Sequence, residues 1–348
     1  MHETIELKVV RIEQEAPGTK TYFLNPVNVQ NFQYRAGQFL TLLINRNGKE
    51  RRRSYSISST PGVDDQLSIT IKEVQNGEVS RFLLNSLQVN STLRAIGPAG
   101  LFTYDSTLQS SNRILFFAGG SGITPIYSLI KQLLALQDSP ELVLISQFRA
   151  EENIIFKTQL EMITKKNPWF TWHSLLSAPG SGRPYRLNLE RLQQFLVKYI
   201  PDPESGALFY LCGPPAFMRM IEFGLKVYGI PNSTIRKEIF LFDEIPEPAF
   251  SIDPEPKKLS VTINRQEFNI IINYPQSILQ ACLDAGLNVP YSCKGGRCSS
   301  CIAICKSGLV KMSINQVLTD RELNQQLILT CVGYAATDLH IDYGSISY

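Results

Sequence analysis

The sequence predicts a multidomain chain of three units: an antiparallel β-barrel, a doubly wound parallel α/β sheet and a small α+β unit. Three observations carry this. The apolar periodicity changes from alternating to blockwise near residue 113, four prolines crowd residues 246–256, and five of the seven cysteines, Cys293, Cys298, Cys301 and Cys331 among them, fall within 39 residues near the C-terminus. At about 150 residues per domain, 348 residues allow two or three cores. The boundaries are 1–105, 106–245, a linker at 246–256, and 257–348.

In the first unit Ile5, Leu7 and Val9, and again Leu67, Ile69 and Ile71, alternate with polar residues, with turn signals at Asn47-Gly48, Pro61-Gly62 and Asn76-Gly77. That pattern is an antiparallel barrel or sandwich. A Gly-Pro-Ala-Gly turn at 97–100 and the polar stretch Asp105–Asn112 close it. Buried strands then follow at Ile114–Ala118, Leu142–Gln147, Phe170–Leu176, Leu208–Leu211 and Ile235–Ile239, separated by helical stretches such as Ile126–Gln137 and Ala216–Tyr228. Alternating β and α implies a parallel sheet. Pro246, Pro248, Pro254 and Pro256 disfavour both helix and sheet and stiffen a linker. The last unit opens with a hairpin (Leu259, Val261, Ile263; Phe268, Ile270, Ile272), then a helix whose Ser277 and Gln280 form a capping box and which ends before Gly286.

Composition narrows the function classes. A net charge of +3 is too weak a field to argue for nucleic acid or an anionic membrane as partner. No apolar run nears the ~18 residues of a membrane span. The start, Met1–Glu6, shows no secretory signal, so a cytoplasmic location is expected. Disulfides do not persist in a reducing cytosol, so the clustered cysteines point to a metal or cluster site. His2, His173 and His340 lie far apart, leaving no material for a histidine triad, a histidine-rich zinc site or a two-histidine iron centre.

Cys293-x4-Cys298-x2-Cys301, followed by Cys331 after 29 residues, has the plant-type spacing for four thiolate ligands of a [2Fe–2S] cluster. Gly295 and Gly296 let backbone N–H groups approach the sulfurs, and Lys294 and Arg297 offset negative charge. A zinc site is the competing reading, although paired CxxC knuckles are its usual form. Cys282 and Cys305 are expected in the core. The segment 257–348 resembles a plant-type ferredoxin domain in Ala285-Gly286, Val289–Cys293, Cys298–Cys301 and Leu329–Cys331. The resemblance implies a β-grasp fold. It departs at Asn324–Gln326, where the family often has glycine and aromatic residues.

Upstream, Arg53-Ser54-Tyr55-Ser56 offers a cation for a flavin phosphate, an aromatic face for the isoalloxazine and a hydroxyl for the ring nitrogen that accepts hydride. Gly77-x-x-Ser80 then precedes a helix whose N-terminal amides suit a pyrophosphate. Gly119-Gly120-Ser121-Gly122-Ile123-Thr124-Pro125 directly follows a buried strand and opens a helix, as a dinucleotide-binding turn does, though it is not GxGxxG. A second turn, Cys212-Gly213-Pro214-Pro215, follows the fourth strand of that unit. The two turns could meet at a topological switch point.

Together these features resemble the ferredoxin–NADP reductase superfamily, in the branch with a C-terminal ferredoxin domain that includes the phenylacetyl-CoA epoxidase reductase and other oxygenase reductases. The resemblance implies that Arg53, Tyr55 and Ser56 hold FAD, with FMN left open, and that Gly77, Val79 and Ser80 take its pyrophosphate. It places Thr124 near the flavin and gives NADPH or NADH to Gly119, Gly120, Ser121 and Gly122 with Cys212, Gly213 and Pro214. Glu238 and Phe240, in the family's Glu-x-Phe position, become flavin or nicotinamide neighbours. Tyr55, Ser56, Cys212 and Glu238 are thus the candidates closest to the chemistry. Arg149 is either a 2′-phosphate ligand or a surface residue, and Ser177 with Arg183 is a second such pair. His173, Trp169 and Trp172 are expected to be structural.

The implied activity is a relay: hydride from NAD(P)H to flavin, then single electrons through the [2Fe–2S] cluster to a separate acceptor, an oxygenase or hydroxylase component that docks transiently. With no haem motif and no histidine set for a second iron centre, terminal oxygen chemistry falls to another protein. The competing readings are a non-catalytic flavin/Fe–S carrier or redox-sensor subunit of a larger complex, and a zinc-stabilised flavoprotein.

Overall fold

In a computed structural model the described residues are 4–29, 32–46, 48–104, 111–178, 180, 184–240 and 252–344. Asn47, residues 105–110, Arg183 and linker residues 246–251 lie outside them.

Strands β1 (Ile5–Ala16), β2 (Thr19–Pro26), β3 (Phe39–Arg46), β4 (Lys49–Ser56), β5 (Leu67–Lys72) and β6 (Thr92–Ala99) form one sheet in the order β4-β3-β6-β1-β2-β5. An Ile57–Ile69 bridge joins the end of β4 to β5, bringing the two edge strands together as a barrel requires. Alternation works as expected: Ile5, Leu7 and Val9 are buried while Glu6 and Lys8 are exposed. Helix α1 (Glu78–Ser86) turns Val79, Leu83 and Leu84 inward. The expected turn at 97–100 is a correction. Gly97 and Pro98 continue β6, and only Gly100 lies beyond it, because Gly97 takes a positive φ of 129° within the strand.

The parallel sheet comprises β7 (Arg113–Gly119), β8 (Glu141–Phe148), β9 (Phe170–Leu176), β10 (Leu208–Cys212) and β11 (Ile235–Glu238), in the order β11-β10-β7-β8-β9. Helices α2 (Ile123–Leu134), α3 (Lys157–Lys166), α4 (Leu189–Tyr199) and α5 (Pro215–Tyr228) connect the strands. Ile114 and Phe116 join a core with α2 on one face, and Leu115 and Phe117 join another with α4 and α5. Chain order therefore reverses between β7 and β10, which is the switch point. Helix α2 begins three residues before the expected Ile126, because Pro125 sits in the first turn, where its missing N–H costs nothing. Trp172 packs as expected and donates from Nε1 to Ser146 Oγ (2.9 Å), but Trp169 is 51% exposed, a second correction. It lies in the turn before β9 beside exposed Pro168, and burial begins only at Phe170, the first residue of the strand.

Barrel and sheet are one compact body rather than two. Ala36 and Phe102 share a core with Phe116, Ile126 and Leu129. Thr60 Oγ1 donates to Ser128 O (2.8 Å), Ser128 Oγ donates to Ser59 O (2.6 Å), and Lys131 pairs with Asp64.

The second body is the C-terminal fold. Strands β12 (Lys257–Ile263), β13 (Gln266–Ile272), β14 (Ile302–Ser307), β16 (Leu327–Leu329) and β18 (Leu339–Asp342) order as β13-β12-β18-β14-β16, with β12 and β18 parallel. Strands β15 (Val310–Met312) and β17 (Gly333–Ala335) pair separately, and helices α6 (Ile278–Asp284) and α7 (Asp320–Asn324) complete it. The capping box at α6 is half made. Ser277 Oγ accepts from Gln280 N (3.2 Å), but the Gln280 side chain donates to Asp284 Oδ1 (2.6 Å) instead of reaching back. Among the described residues no helix is long and apolar enough to cross a membrane.

Candidate functional site

The C-terminal edge of the parallel sheet gathers most of the candidates. Cys212 ends β10 in register with Ala118 of β7 on one side and Glu238 of β11 on the other. The two glycine turns touch. A Cβ on Gly119 would lie 2.6 Å from Pro214 Cδ, one on Gly213 would lie 2.9 Å from Gly119 Cα, and one on Gly122 would fall on the Cys212 carbonyl. Only backbone without side chains lets the β7–α2 and β10–α5 turns close to this distance. Thr124 Oγ1 donates to Ser121 O (2.9 Å), tying the start of α2 to its own turn.

From the barrel, Ser56 at the end of β4 donates its hydroxyl to Glu238 Oε2 (3.0 Å). Burial pushes the Glu238 carboxyl up to about 8, with the Ser56 hydrogen bond pulling the other way. It is therefore largely protonated at neutral pH. Cys212 is fully buried, and burial together with Glu238 holds its thiol well above the usual range. What Cys212 offers the turn is its carbonyl, not a thiolate. Tyr55 is half-buried against the barrel core, where burial raises its phenol. Arg53 is exposed and donates from Nη1 to Arg52 O (2.8 Å).

Gly77 precedes α1, and Ser80 Oγ accepts from Val74 N (3.1 Å), folding the 74–80 loop onto the helix start that also holds Val79. Phe240 is partly buried against the sheet core. Arg149 is exposed just past β8, and Ser177 accepts at its carbonyl from Arg186 Nε (3.2 Å). One neighbour has no sequence motif to mark it. Lys72 ends the alternating strand β5, its Nζ lies 3.4 Å from where a Gly120 Cβ would be, and burial lowers its pKa. A lone charged residue closing an otherwise uncharged strand is the signal that could have found it.

In the second body the loop between α6 and β14, and the turn after β16, bring the four cysteines together. Cys293 shares hydrogen bonds with Cys298 and Cys331, and Cys331 with Cys301, so the thiols form a connected set. Gly295 N donates to Cys293 Sγ (3.2 Å) and Gly296 N to Cys331 Sγ (3.3 Å). Gly296 has φ +69°, and a Cβ there would lie 2.9 Å from both Ile314 and Val332, so the amide's approach requires glycine. Lys294 and Ser299 also take positive φ, the conformation that turns successive amides inward. Lys294 is exposed, with Nζ 4.8 Å from the Tyr291 ring centre, whereas Arg297 is buried. Thiolate-capable donors ringed by amides suit a thiolate-ligated cluster. Cys282 is buried in the same core, and so is Cys305.

Comparison with known proteins bears on the domains that carry these residues. The oxidoreductase FAD-binding domain matches residues 6–104, the oxidoreductase NAD-binding domain residues 116–222, and the 2Fe-2S iron-sulfur cluster binding domain residues 261–336. The ferredoxin reductase component of 3-ketosteroid-9-alpha-monooxygenase from Mycolicibacterium smegmatis is 30% identical, over 96% of this chain and 95% of its own. One of the subunits of 1,2-phenylacetyl-CoA epoxidase from Escherichia coli is 30% identical over 97% of each chain. Among solved structures, phthalate dioxygenase reductase has TM-score 0.61 at 23% identity, covering 97% of this chain and 98% of its own. An intact type IV self-sufficient cytochrome P450 monooxygenase has TM-score 0.74 at 22% identity, covering 97% of this chain and 41% of its own. Both structures share the fold.

Fold and centres together define a flavin- and iron–sulfur-dependent pyridine-nucleotide oxidoreductase. The chain belongs to the ferredoxin-reductase family of electron-transfer flavoproteins, in the branch that carries FAD-binding, NAD-binding and [2Fe–2S]-binding domains on one polypeptide.

Proposed function

We propose that this chain is the reductase component of an oxygenase or hydroxylase system, docking transiently on that partner in the cytoplasm. The relatives' own names supply the oxygenase. The observation that carries the reductase reading is the contact of the two glycine turns beside the Ser56–Glu238 hydrogen bond. FAD held there would accept two electrons as hydride from NAD(P)H and give them up singly, and a [2Fe–2S] cluster on the four cysteines would carry one at a time.

The residues divide that work. Ser56 presents a hydroxyl to the flavin and Tyr55 an aromatic face, while Arg53 with the α1 start (Gly77, Val79, Ser80) holds phosphate. Gly119, Gly120, Ser121 and Gly122 with Cys212, Gly213 and Pro214 form the nucleotide seat, and Thr124 keeps its turn in shape. Phe240 packs beside the seat. Glu238, largely protonated, places no full negative charge where electron-rich rings meet and can hold a proton near them. Cys293, Cys298, Cys301 and Cys331 ligate the cluster. We take the functional units to be 1–105 for flavin, 106–245 for the nucleotide and 257–348 for the cluster, with 246–256 as linker.

Chromatography of the flavin released by acid, with iron and zinc assayed on the same protein, tests the cofactor set. One FAD and two irons per chain are expected. One zinc without iron would replace the cluster with a structural metal, and no flavin would overturn the roles given to Arg53, Tyr55 and Ser56. Replacing Arg149 by Ala should raise KM for NADPH and leave KM for NADH unchanged; equal effects return Arg149 to the surface.

A further inference from the structure

Behind the cysteine loop runs a buried polar chain that the relay does not use. Tyr343, just past β18, donates its hydroxyl to Thr330 Oγ1 (2.9 Å), and Thr330 Oγ1 donates to the Cys301 carbonyl (2.8 Å). Thr330 N also donates to that carbonyl (3.2 Å), while Thr330 O accepts from Leu279 N of α6 (2.9 Å). Cys282, also on α6, lies beside Tyr343, and burial pushes its thiol up to about 12, so it is neutral. Thr330 and Cys282 are wholly buried and Tyr343 is 8% exposed.

A tyrosine and a threonine are costly at such a depth unless their hydroxyls are satisfied, and here they satisfy one another in a line that ends on Cys301. Thr330 is also the neighbour of Cys331, so the same line grips two of the four cysteines. The two O–H dipoles run head to tail with their positive ends toward Cys301. In a low-dielectric core such a pair favours additional negative charge at that end.

We infer that Tyr343 is a positioning residue for the [2Fe–2S] centre, acting through Thr330 on the Cys301 carbonyl to hold the ligand segment and to ease the centre's one-electron reduction. The inference rests on the reading of Cys293, Cys298, Cys301 and Cys331 as cluster ligands. It requires no titration and no added reactant, since the electron is the one the flavin already supplies.

The test uses the full-length, cofactor-loaded protein, with iron content, the midpoint potential of the centre and its low-temperature electron paramagnetic resonance spectrum as readouts. Tyr343→Phe removes only the hydroxyl. It should make reduction roughly threefold less favourable, about 28 mV lower for a one-electron couple. Iron loss to a chelator should rise roughly tenfold, as for other groups that orient metal ligands. Thr330→Val should shift the potential at least as far, Thr330→Ser should keep the parent value, and the double variant should match Thr330→Val alone because the two act in series.

Unchanged potentials in Tyr343→Phe and Thr330→Val, with two irons retained, would overturn the inference and leave the ligand reading standing. Shifts that add in the double variant would also overturn it, since Tyr343 would then act independently of Thr330. A parent protein without two irons would defeat the ligand reading itself, and the inference with it.

Discussion

Glu238 is a carboxyl held where its charge is costly. Burial raises its pKa from 4.5 to about 8, so the folded protein keeps a proton that the unfolded chain releases. Folding stability should therefore fall as pH rises from about 4.5 to about 8, with a slope of at most ~1.4 kcal/mol per pH unit. Thermal melts of the parent and of Glu238→Gln across that window check this: the variant should lose the slope and be the more stable of the two at the alkaline end. A parent curve as flat as the variant's would mean the carboxyl is solvated. Ser56→Ala removes the one hydrogen bond that favours the carboxylate. The slope should then extend to higher pH, and stopped-flow reduction of the flavin by NADH should slow roughly tenfold, the worth of one hydrogen bond of about 1.4 kcal/mol. At this scale the sequence was informative where a motif gathers its residues, as in Arg53–Ser56 and the four ligand cysteines. It was silent on Lys72, whose role depends on a glycine 48 residues away in the chain, and on whether Cys212 contributes its sulfur or its carbonyl.

The β7–α2 and β10–α5 turns come together because Gly119, Gly122 and Gly213 have no side chains. Gly122→Ala places a methyl on the Cys212 carbonyl, and overpacking of that kind costs about 1–3 kcal/mol. The denaturation midpoint should fall and KM for NADH should rise together, since one turn serves both. A stability loss with KM unchanged would remove these turns from the nucleotide seat. In the other body, Gln326, in the stretch Asn324–Gln326 where the ferredoxin-like pattern often has glycine and aromatic residues, takes φ +62°. Its backbone bonds, Gln326 N to Leu323 O and Cys305 N to Gln326 O (each 2.9 Å), do not need its side chain. Gln326→Gly should therefore raise the melting temperature, by up to about 1 kcal/mol of stability, and a lower melting temperature would mean the side chain contributes. Elements were legible wherever periodicity ran through their interiors: the central strands of the parallel sheet fall within a residue or two of expectation. Their ends depended on facts no periodicity carries, such as the tolerance of Pro125 in a first turn, the positive φ of Gly97 inside β6, and the preference of Gln280 for Asp284.

For the molecule as a whole, near-neutral net charge, scarce histidine and clustered cysteine already directed attention to bound cofactors rather than side-chain catalysis. The joining of barrel and parallel sheet into one body was not legible, because it rests on pairings between distant segments such as Thr60 with Ser128 and Asp64 with Lys131. That joining matters for function, because hydride transfer needs nicotinamide and flavin seats whose spacing is fixed within one body, whereas the cluster fold is a separate one. The electron path is then nicotinamide, flavin, cluster, acceptor. Anaerobic addition of NADH, and separately of NADPH, to the loaded protein while following the absorbance of both chromophores tests that path in one experiment. With at least one of the nucleotides the flavin band should bleach first and the cluster band after it. A flavin that stays oxidised with both nucleotides, or a cluster band that persists after the flavin has bleached, would contradict it.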